Sequence, residues 1–269
     1  MKKLLIKILN IINTYRESLK YKKLEIPSSE FYRLKNNVNN DNSVLFGKSI
    51  KIIDSFWYLF SIKEIFIDGI YKFNTKKNDP LIIDCGANIG LSVIYFKKLF
   101  PDSLIIAFEP DPVNFIILKS NLIQFNLHDV EVIPKAVWIN EKPLFFKKNG
   151  SIGGHLINHE CNNSIKIETV CLRNYLNRNI DFLKIDIEGS EYDIIKDCED
   201  LLVNVKNIFV EYHSFPDNPQ MIGELLIILR NAGFKTYIKE AWENMKNPYI
   251  EQIGGYFDLQ LNIFGYRIE

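Results

Sequence analysis

The sequence predicts an α/β fold, a mainly parallel sheet with helices on both faces, preceded by an N-terminal helical extension. Three observations carry this. Short, mostly apolar runs recur at residues 81–85 and 103–108, as in strands buried on both faces, and residues 182–187 supply a further strand. Segments with helical spacing follow them. The first run breaks at Gly86 and Gly90, the kind of loop that turns a strand into a helix. Such β-then-α alternation argues for a parallel sheet.

The chain opens on MKKLLIKILNIINTYRESLKYKK, where Leu4, Leu5, Ile8, Leu9 and Ile12 repeat at helical spacing with lysines between them. This amphipathic helix is expected to pack on its own domain or on a second copy in a homo-oligomer. Peripheral contact with a membrane surface is the alternative. Lys7, Asn10 and Asn13 break the apolar run, and no small-residue cleavage site follows. The segment therefore reads neither as a secretory leader nor as a bilayer span, and the expected location is cytoplasmic. An asparagine-rich stretch at 36–42 precedes residues 44–73, which are rich in Ile, Phe and Tyr and hold a strand or two and a helix. The polar turn at 75–80 marks the boundary between an extension, 1–74, and the main domain, 75–269.

Within that domain the first strand leads to a helix ending near Phe100. The second leads to a helix with Phe115, Leu118 and Leu122 on its apolar face. Residues 130–133 are a third strand. Residues 182–187 and 208–212 are two more, followed by helices at 191–198 and 221–231. Residues 256–264 alternate polar and apolar with no helix after them, a final strand, antiparallel at or near an edge. Residues 143–173 are strand-like but irregular and read as an insertion around the ligand mouth.

Composition narrows the function. Hydrophobic residues make up 47% and charged residues 25%, as in a globular protein with a sizeable core. Lys plus Arg is 33 and Asp plus Glu is 33, so no net field recruits nucleic acid, which is not an expected partner. The four cysteines, Cys85, Cys161, Cys171 and Cys198, form no C-x-x-C pair and signal neither a zinc site nor a disulfide framework.

In open α/β sheets ligands bind beyond the carboxyl ends of the strands. The loop Asp84-Cys85-Gly86-Ala87-Asn88-Ile89-Gly90 lies there. Its glycines stand four apart, unlike the G-x-G-x-x-G that brings a helix N-terminus to a pyrophosphate. Nineteen residues beyond Gly90, the second strand ends in Phe108-Glu109-Pro110, where a carboxylate can accept hydrogen bonds from ribose hydroxyls. Paired at this spacing, the two features favour an adenosine-containing cofactor.

These residues carry a family resemblance. Ile83-Asp84-Cys85-Gly86-Ala87-Asn88-Ile89-Gly90, Ala107-Phe108-Glu109-Pro110 and Phe182-Leu183-Lys184-Ile185-Asp186-Ile187-Glu188-Gly189-Ser190-Glu191 resemble the successive signatures of the FkbM family of S-adenosylmethionine-dependent methyltransferases. The third is the most specific, and Val210-Glu211-Tyr212-His213 resembles that family's next strand end. The resemblance spans roughly residues 80–264. One departure is visible in Cys171-Leu172-Arg173-Asn174-Tyr175-Leu176, where arginine replaces an acid of the family pattern.

The resemblance implies a Rossmann-like seven-strand methyltransferase sheet with S-adenosylmethionine as cofactor. Gly86, Asn88 and Gly90 would then line its methionine and ribose part, with Asp84 holding the loop. Glu109 would take the ribose hydroxyls, and Asn121 and Ala136 would lie near the adenine. The reaction would be O-methylation of a hydroxyl on a sugar, glycan or secondary metabolite.

The chemistry needs a group that accepts or stabilises the acceptor's proton. Asp186 and Glu188 follow a strand whose carboxyl end faces the cleft, and His213 ends the next one, so these are the candidate catalytic residues. His155, in a glycine-rich loop that closes over the ligands, is a fourth. Lys184 keeps a nearby carboxylate ionised. Glu191, in a helix's first turn, serves structure as readily as chemistry. A divalent metal between Asp186 and His213 is the alternative to a direct base. The sequence favours the metal-free version, because few oxygen ligands besides Asp186 are obvious and hard cations take about six.

Two other classes compete. An NAD-linked oxidoreductase or epimerase needs G-x-G-x-x-G and a relay such as Y-x-x-x-K, and neither is found. A silent binding module on the same fold has no need of the complete acidic hallmark.

Overall fold

The computed structural model describes residues 2–36, 41–149, 153–157, 160–162, 164–251 and 255–268. Two helices, α1 (Lys2–Tyr21) and α2 (Ser28–Lys35), lead to a hairpin of β1 (Asn42–Leu45) and β2 (Lys48–Lys51), then to α3 (Ser55–Ile62). The hairpin turns on Phe46 and Gly47, both at positive φ (51° and 69°), which matches the twist of the flanking strands. Asp54 starts α3 by accepting a hydrogen bond from the Trp57 N–H at 3.0 Å. The helix then widens into one π-helical turn, Lys63–Asp68.

The alternation follows: β3 (Leu81–Cys85), α4 (Leu91–Leu99), β4 (Leu104–Phe108), α5 (Pro112–Gln124) and β5 (Glu131–Ile133). Four short strands come next, β6 (Ala136–Trp138), β7 (Leu144–Asn149), β8 (Gly153–Ile157) and β9 (Ser164–Ile167), and then β10 (Thr169–Cys171). The chain returns to the main sheet with β11 (Ile180–Ile185), α6 (Glu191–Asp197), β12 (Val205–Ser214) and α7 (Ile222–Asn231). It finishes with β13 (Lys235–Trp242), α8 (Pro248–Glu251) and β14 (Leu259–Tyr266).

The main sheet has seven strands in the order β13-β14-β12-β11-β3-β4-β5. All neighbouring pairs from β12 to β5 are parallel, and β14 is antiparallel to both its neighbours. The final strand is thus antiparallel, as expected, and sits one place in from the edge. The edge itself is β13, which the sequence pattern does not announce, because seven of its eight residues are exposed and no apolar face marks it. Chain order reverses between β3 and β11, which opens a crevice at their carboxyl ends.

Side chains alternate across the sheet with a period of two. Ile82, Ile105, Phe182 and Phe209 face one core with Phe96 of α4 and Leu118 and Leu122 of α5. Ile83, Ile106, Leu183 and Ile208 face the other, with Ile194 of α6 and Leu225 of α7. Each such side chain stabilises the fold by about 1.5–3 kcal/mol when fully buried. The segment before residue 75 belongs to the first core: Tyr21, Phe31, Leu45, Tyr58 and Ile62 are buried in it. Tyr58 also donates its hydroxyl proton to the Val44 carbonyl at 3.1 Å.

The expected apolar stripe of the first helix falls in α1, but the side chains of Leu4, Leu5, Ile8 and Leu9 lie outside the described residues, while Ile12 is exposed. No helix among the described residues is long and apolar enough to cross a membrane. The irregular stretch after Pro143 forms a three-stranded antiparallel sheet, β8-β7-β9, with β10 paired to β6 beside it. His155 therefore corrects the reading of a loop: its backbone lies in β8 opposite Lys147, and its side chain lies outside the described residues.

Candidate active site

β3 stops at Cys85 because the chain then enters left-handed conformations that a strand cannot hold. Gly86 has φ +92°, Asn88 +48° and Gly90 +93°. The N–H groups of Gly86 and Ala87 both donate to the Phe108 carbonyl, at 3.1 and 2.9 Å, tying the loop to the end of β4. A Cβ on Gly86 would stand 1.9 Å from the Asp186 carbonyl oxygen, so glycine is required here by the neighbouring strand as well as by φ. At Gly90 a Cβ would meet Leu118 of α5 at 3.5 Å. Asp84 is fully buried; one carboxylate oxygen accepts from the Ser92 hydroxyl and the other stands 3.2 Å from the Lys184 ammonium. It holds the loop from beneath.

Glu109, 5% exposed, accepts from the Asn88 N–H at 2.8 Å on one oxygen and from the Asp111 N–H at 2.9 Å on the other. Burial pushes its carboxyl up to about 7, against the pull of these hydrogen bonds. Asn121 and Ala136, expected near an adenine, are held by protein groups. The Asn121 amide accepts from the Lys51 N–H at 2.8 Å and donates to the carbonyls of Lys51 at 3.0 Å and Ile89 at 2.9 Å. Both of its N–H donors are engaged, so it braces β2 and the loop from behind. Ala136 turns its methyl into a small cluster with Phe146 and Ile167.

Across the crevice, β11 and β12 end in a crowd of charge. The Asp186 N–H donates to the Cys85 carbonyl at 3.1 Å, which fixes the end of β11 against β3. The Lys184 ammonium, buried, donates to the Gly86 carbonyl at 2.8 Å and stands 3.2 Å from both Asp84 and Asp186. Past Asp186 the chain turns through Glu188 (φ +61°) and Gly189 (φ +104°), where a Cβ would stand 2.3 Å from the Phe215 ring. Fully buried Glu191 closes this turn by accepting from the N–H groups of Ile187 at 3.2 Å and Gly189 at 3.0 Å. The same carboxylate faces His213 Nδ1 at 3.1 Å. Glu191 is therefore the structural member of the hallmark.

His213 Nε2 points the other way, 3.5 Å from Glu211 and 4.0 Å from Glu188. Burial favours the neutral ring, but Glu191 first, then Glu211 and Glu188, hold it well above the usual histidine range. Burial raises Asp186, with Lys184 opposing, and pushes Glu188 up to about 8. Arg173, the departure from the family pattern, makes a two-point pair with Asp200 at 2.6 and 2.9 Å and does not line the crevice.

The crevice opens into a cavity of about 520 Å³. Its floor is the Gly86–Leu91 loop with Lys184, Asp186, Glu188, Glu211 and His213. Asp54, Trp57, Tyr58, Phe60, Ser61 and Glu64 form one wall; Trp242, Asn244, Tyr256, Phe257 and Gln260 form another. Trp57 and Phe60 reach Trp242 across the top, at ring-centroid distances of 5.5 and 5.6 Å. Burial pushes Glu64, in the π-helical turn, up to about 8. The sequence reading expected an insertion from Pro143 to Arg173 around the ligand mouth, and none of the described residues of that stretch is among those lining the cavity.

The structure thus brings Gly86, Asn88, Asp186, Glu188 and His213 around one space, with Asp84, Gly90 and Glu109 as its supports. Sequence reasoning gave no role to Glu211, Glu64, Trp57 or Trp242. Glu211 had a signal: it stands two residues before His213 on one strand, so both point to the same face. The other three lie outside any motif.

The Methyltransferase FkbM domain model matches residues 84–236. Methyltransferase sdnD of Sordaria araneosa is 30% identical, the match covering 56% of this chain and 73% of that protein. The 31-O-demethyl-FK506 methyltransferase FkbM of Streptomyces tacrolimicus is 24% identical over 65% of this chain and 81% of its own. Among solved structures, the methyltransferase FkbM of Methylobacillus flagellatus KT superposes with a TM-score of 0.50 at 17% identity. That match covers 76% of this chain but 47% of the crystallised one, and it shows the shared fold. With more than half of its residues inside the domain match, the chain belongs to the FkbM methyltransferase family.

Proposed function

We propose that this chain transfers a methyl group from S-adenosylmethionine to a hydroxyl oxygen of a sugar, glycan or secondary-metabolite acceptor. The observation that carries the reading is one cavity shared by the loop after β3 and the carboxylate–histidine cluster at the ends of β11 and β12. A relative whose name records methylation at an oxygen supports the choice of a hydroxyl.

The residues fit the cofactor by charge and by shape. Asp186, Glu188 and Glu211 line the floor against Lys184 and His213, and an acid-rich wall suits a ligand bearing a sulfonium and an ammonium. When bound, S-adenosylmethionine supplies an electrophilic methyl group. Gly86 and Asn88 give the loop backbone that would border it, and Glu109 is the carboxylate for the ribose. Lys184 orients Asp186 by holding one of its oxygens at 3.2 Å, which leaves the other for an acceptor hydroxyl. Asp186 is the proton acceptor in this reading, and His213, fixed through Nδ1, presents Nε2 to the same oxygen. The aromatic wall of Trp57, Phe60 and Trp242 would exclude water and cover the apolar face of the acceptor.

Calorimetry with S-adenosylmethionine and with NAD is the first test: binding of the former alone is expected. Labelled cofactor offered with a panel of glycosides and hydroxylated metabolites should then yield a labelled O-methyl product. Cofactor binding without transfer to any acceptor that fills the cavity would favour the silent binding module.

A further inference from the structure

Asp186 and His213, which face the acceptor oxygen directly in the reading above, form with Glu211 a set of ligand atoms that would instead reach that oxygen through a bound ion. His213 is buried, its side chain 2% exposed, and Nδ1 is fixed at 3.1 Å by Glu191, whose own side chain is 1% exposed. Nε2 is thereby aimed into the cavity, 3.5 Å from Glu211 and 4.0 Å from Glu188. A buried carboxylate behind one ring nitrogen, with the other turned toward oxygen donors, is how proteins orient a metal-binding imidazole.

Distance supports the same conclusion. Ligand atoms of Asp186, Glu211 and His213 all lie within 4.8 Å of one another. Around a cation with bonds of about 2.1–2.4 Å, neighbouring ligands stand about 3.0–3.4 Å apart and opposite ones up to about 4.8 Å. The 3.5 Å gap between His213 and Glu211 exceeds the about 2.7–2.9 Å of a charge-assisted hydrogen bond and approaches that of two neighbouring ligands. Lys184, the nearby ammonium, is tied to the Gly86 carbonyl at 2.8 Å and shared between Asp84 and one oxygen of Asp186, each at 3.2 Å, so it does not fill the gap between His213 and Glu211.

We propose that Asp186, Glu211 and His213 bind one divalent cation, with positions left open toward the cavity for water or an acceptor oxygen. One imidazole and two carboxylates suit a first-row ion such as Mn²⁺ better than Ca²⁺, which takes oxygen ligands alone. Glu211, quoted in the sequence only as part of a strand end, is the oxygen ligand to which the sequence reading gave no role. The site stands independently of methyl transfer, because it would load with neither cofactor nor acceptor present.

The test is titration of the full chain with Mn²⁺ alone, following the loss of the free-ion paramagnetic resonance signal. One ion per chain is expected, with binding weakened at least about tenfold in Glu211→Gln, Asp186→Asn and His213→Ala. If His213→Ala fails to fold, Glu211→Gln decides, since that side chain is 21% exposed and sits at the cavity floor. Glu168→Gln, at a surface carboxylate 71% exposed, should bind as the wild type does. A folded wild type that takes up no Mn²⁺, or binding that Glu211→Gln leaves unchanged, would overturn the site. Loss of methyl transfer with Mn²⁺ binding intact would instead count against the proposed function.

Discussion

On the β3–β4 side of the crevice, the protein's own groups hold the carboxylates: Glu109 accepts backbone N–H groups on both oxygens, and Asp84 accepts from the Ser92 hydroxyl on one oxygen and faces the Lys184 ammonium at 3.2 Å with the other. On the β11–β12 side, Asp186, Glu188, Glu211 and His213 face one another and the cavity with longer, looser contacts. The first side is a frame whose geometry is set before any ligand arrives. The second holds its charges in tension for a ligand to resolve. Substitutions on the two sides should therefore fail differently, one in folding or affinity and the other in rate.

The largest effect should come from the looser side. Asp186→Asn and His213→Ala should each lower turnover about 10²–10⁴-fold, or about 3–5 kcal/mol of barrier. His213→Ala should leave the calorimetric affinity for S-adenosylmethionine where it was. Near wild-type turnover in both variants would erase the contrast and move the search to His155. On the frame side, Gly86→Ala should cost at least about 3 kcal/mol of stability in denaturant unfolding, since it adds backbone strain to a clash with the Asp186 carbonyl. A folded, stable Gly86→Ala protein would show that the loop yields more than its contacts imply.

The smallest effect sharpens the frame. Glu109→Gln should weaken the cofactor by about 1.5–3 kcal/mol, the range for a hydrogen bond to a charged group. Its pH dependence has a definite sign. The folded carboxyl is raised from the ordinary 4.5 to about 7, so the fold favours the protonated form, and stability should fall as pH rises across that window. The ionised form is the better acceptor for ribose hydroxyls, so cofactor affinity should tighten as pH rises through about 7. Both slopes should flatten in Glu109→Gln, and an unchanged slope would mean that another group titrates there.

Legibility in the sequence followed burial. β3 and β4 were readable because both of their faces enter a core, which leaves short, mostly apolar runs; β11, buried as fully, carries Asp181 and Lys184 within it and was read from its apolar residues and the motif at its end. β13 was not, because exposure on both faces leaves no pattern to read. Within the site, residues next to a glycine or at a strand end stood out: Gly86, Glu109, Asp186, His213. Trp57 and Glu64 could not, since they reach the cavity only because α3 and the π-helical turn after it pack into the first core, a long-range fact with no local mark. The bonds of Asn121 to the β2 backbone and to the Ile89 carbonyl likewise had no mark in the sequence, since they join residues of the extension and the loop to α5.

The position of β14 has a consequence for how the molecule is made. It lies between β12 and β13 and pairs with Asn207–Ser214 of the former, yet it follows both in the chain. On the ribosome, β12 therefore emerges with one edge open, ten residues long and rich in apolar side chains, and β13 has nothing to join. An open edge of that length invites pairing with other chains. Closure waits on β14, which makes the strand bearing Glu211 and His213 among the last parts of the sheet to be sealed. Slow arrival of that strand, or its loss, should show first as aggregation of the nascent protein, before any defect in the cofactor loop.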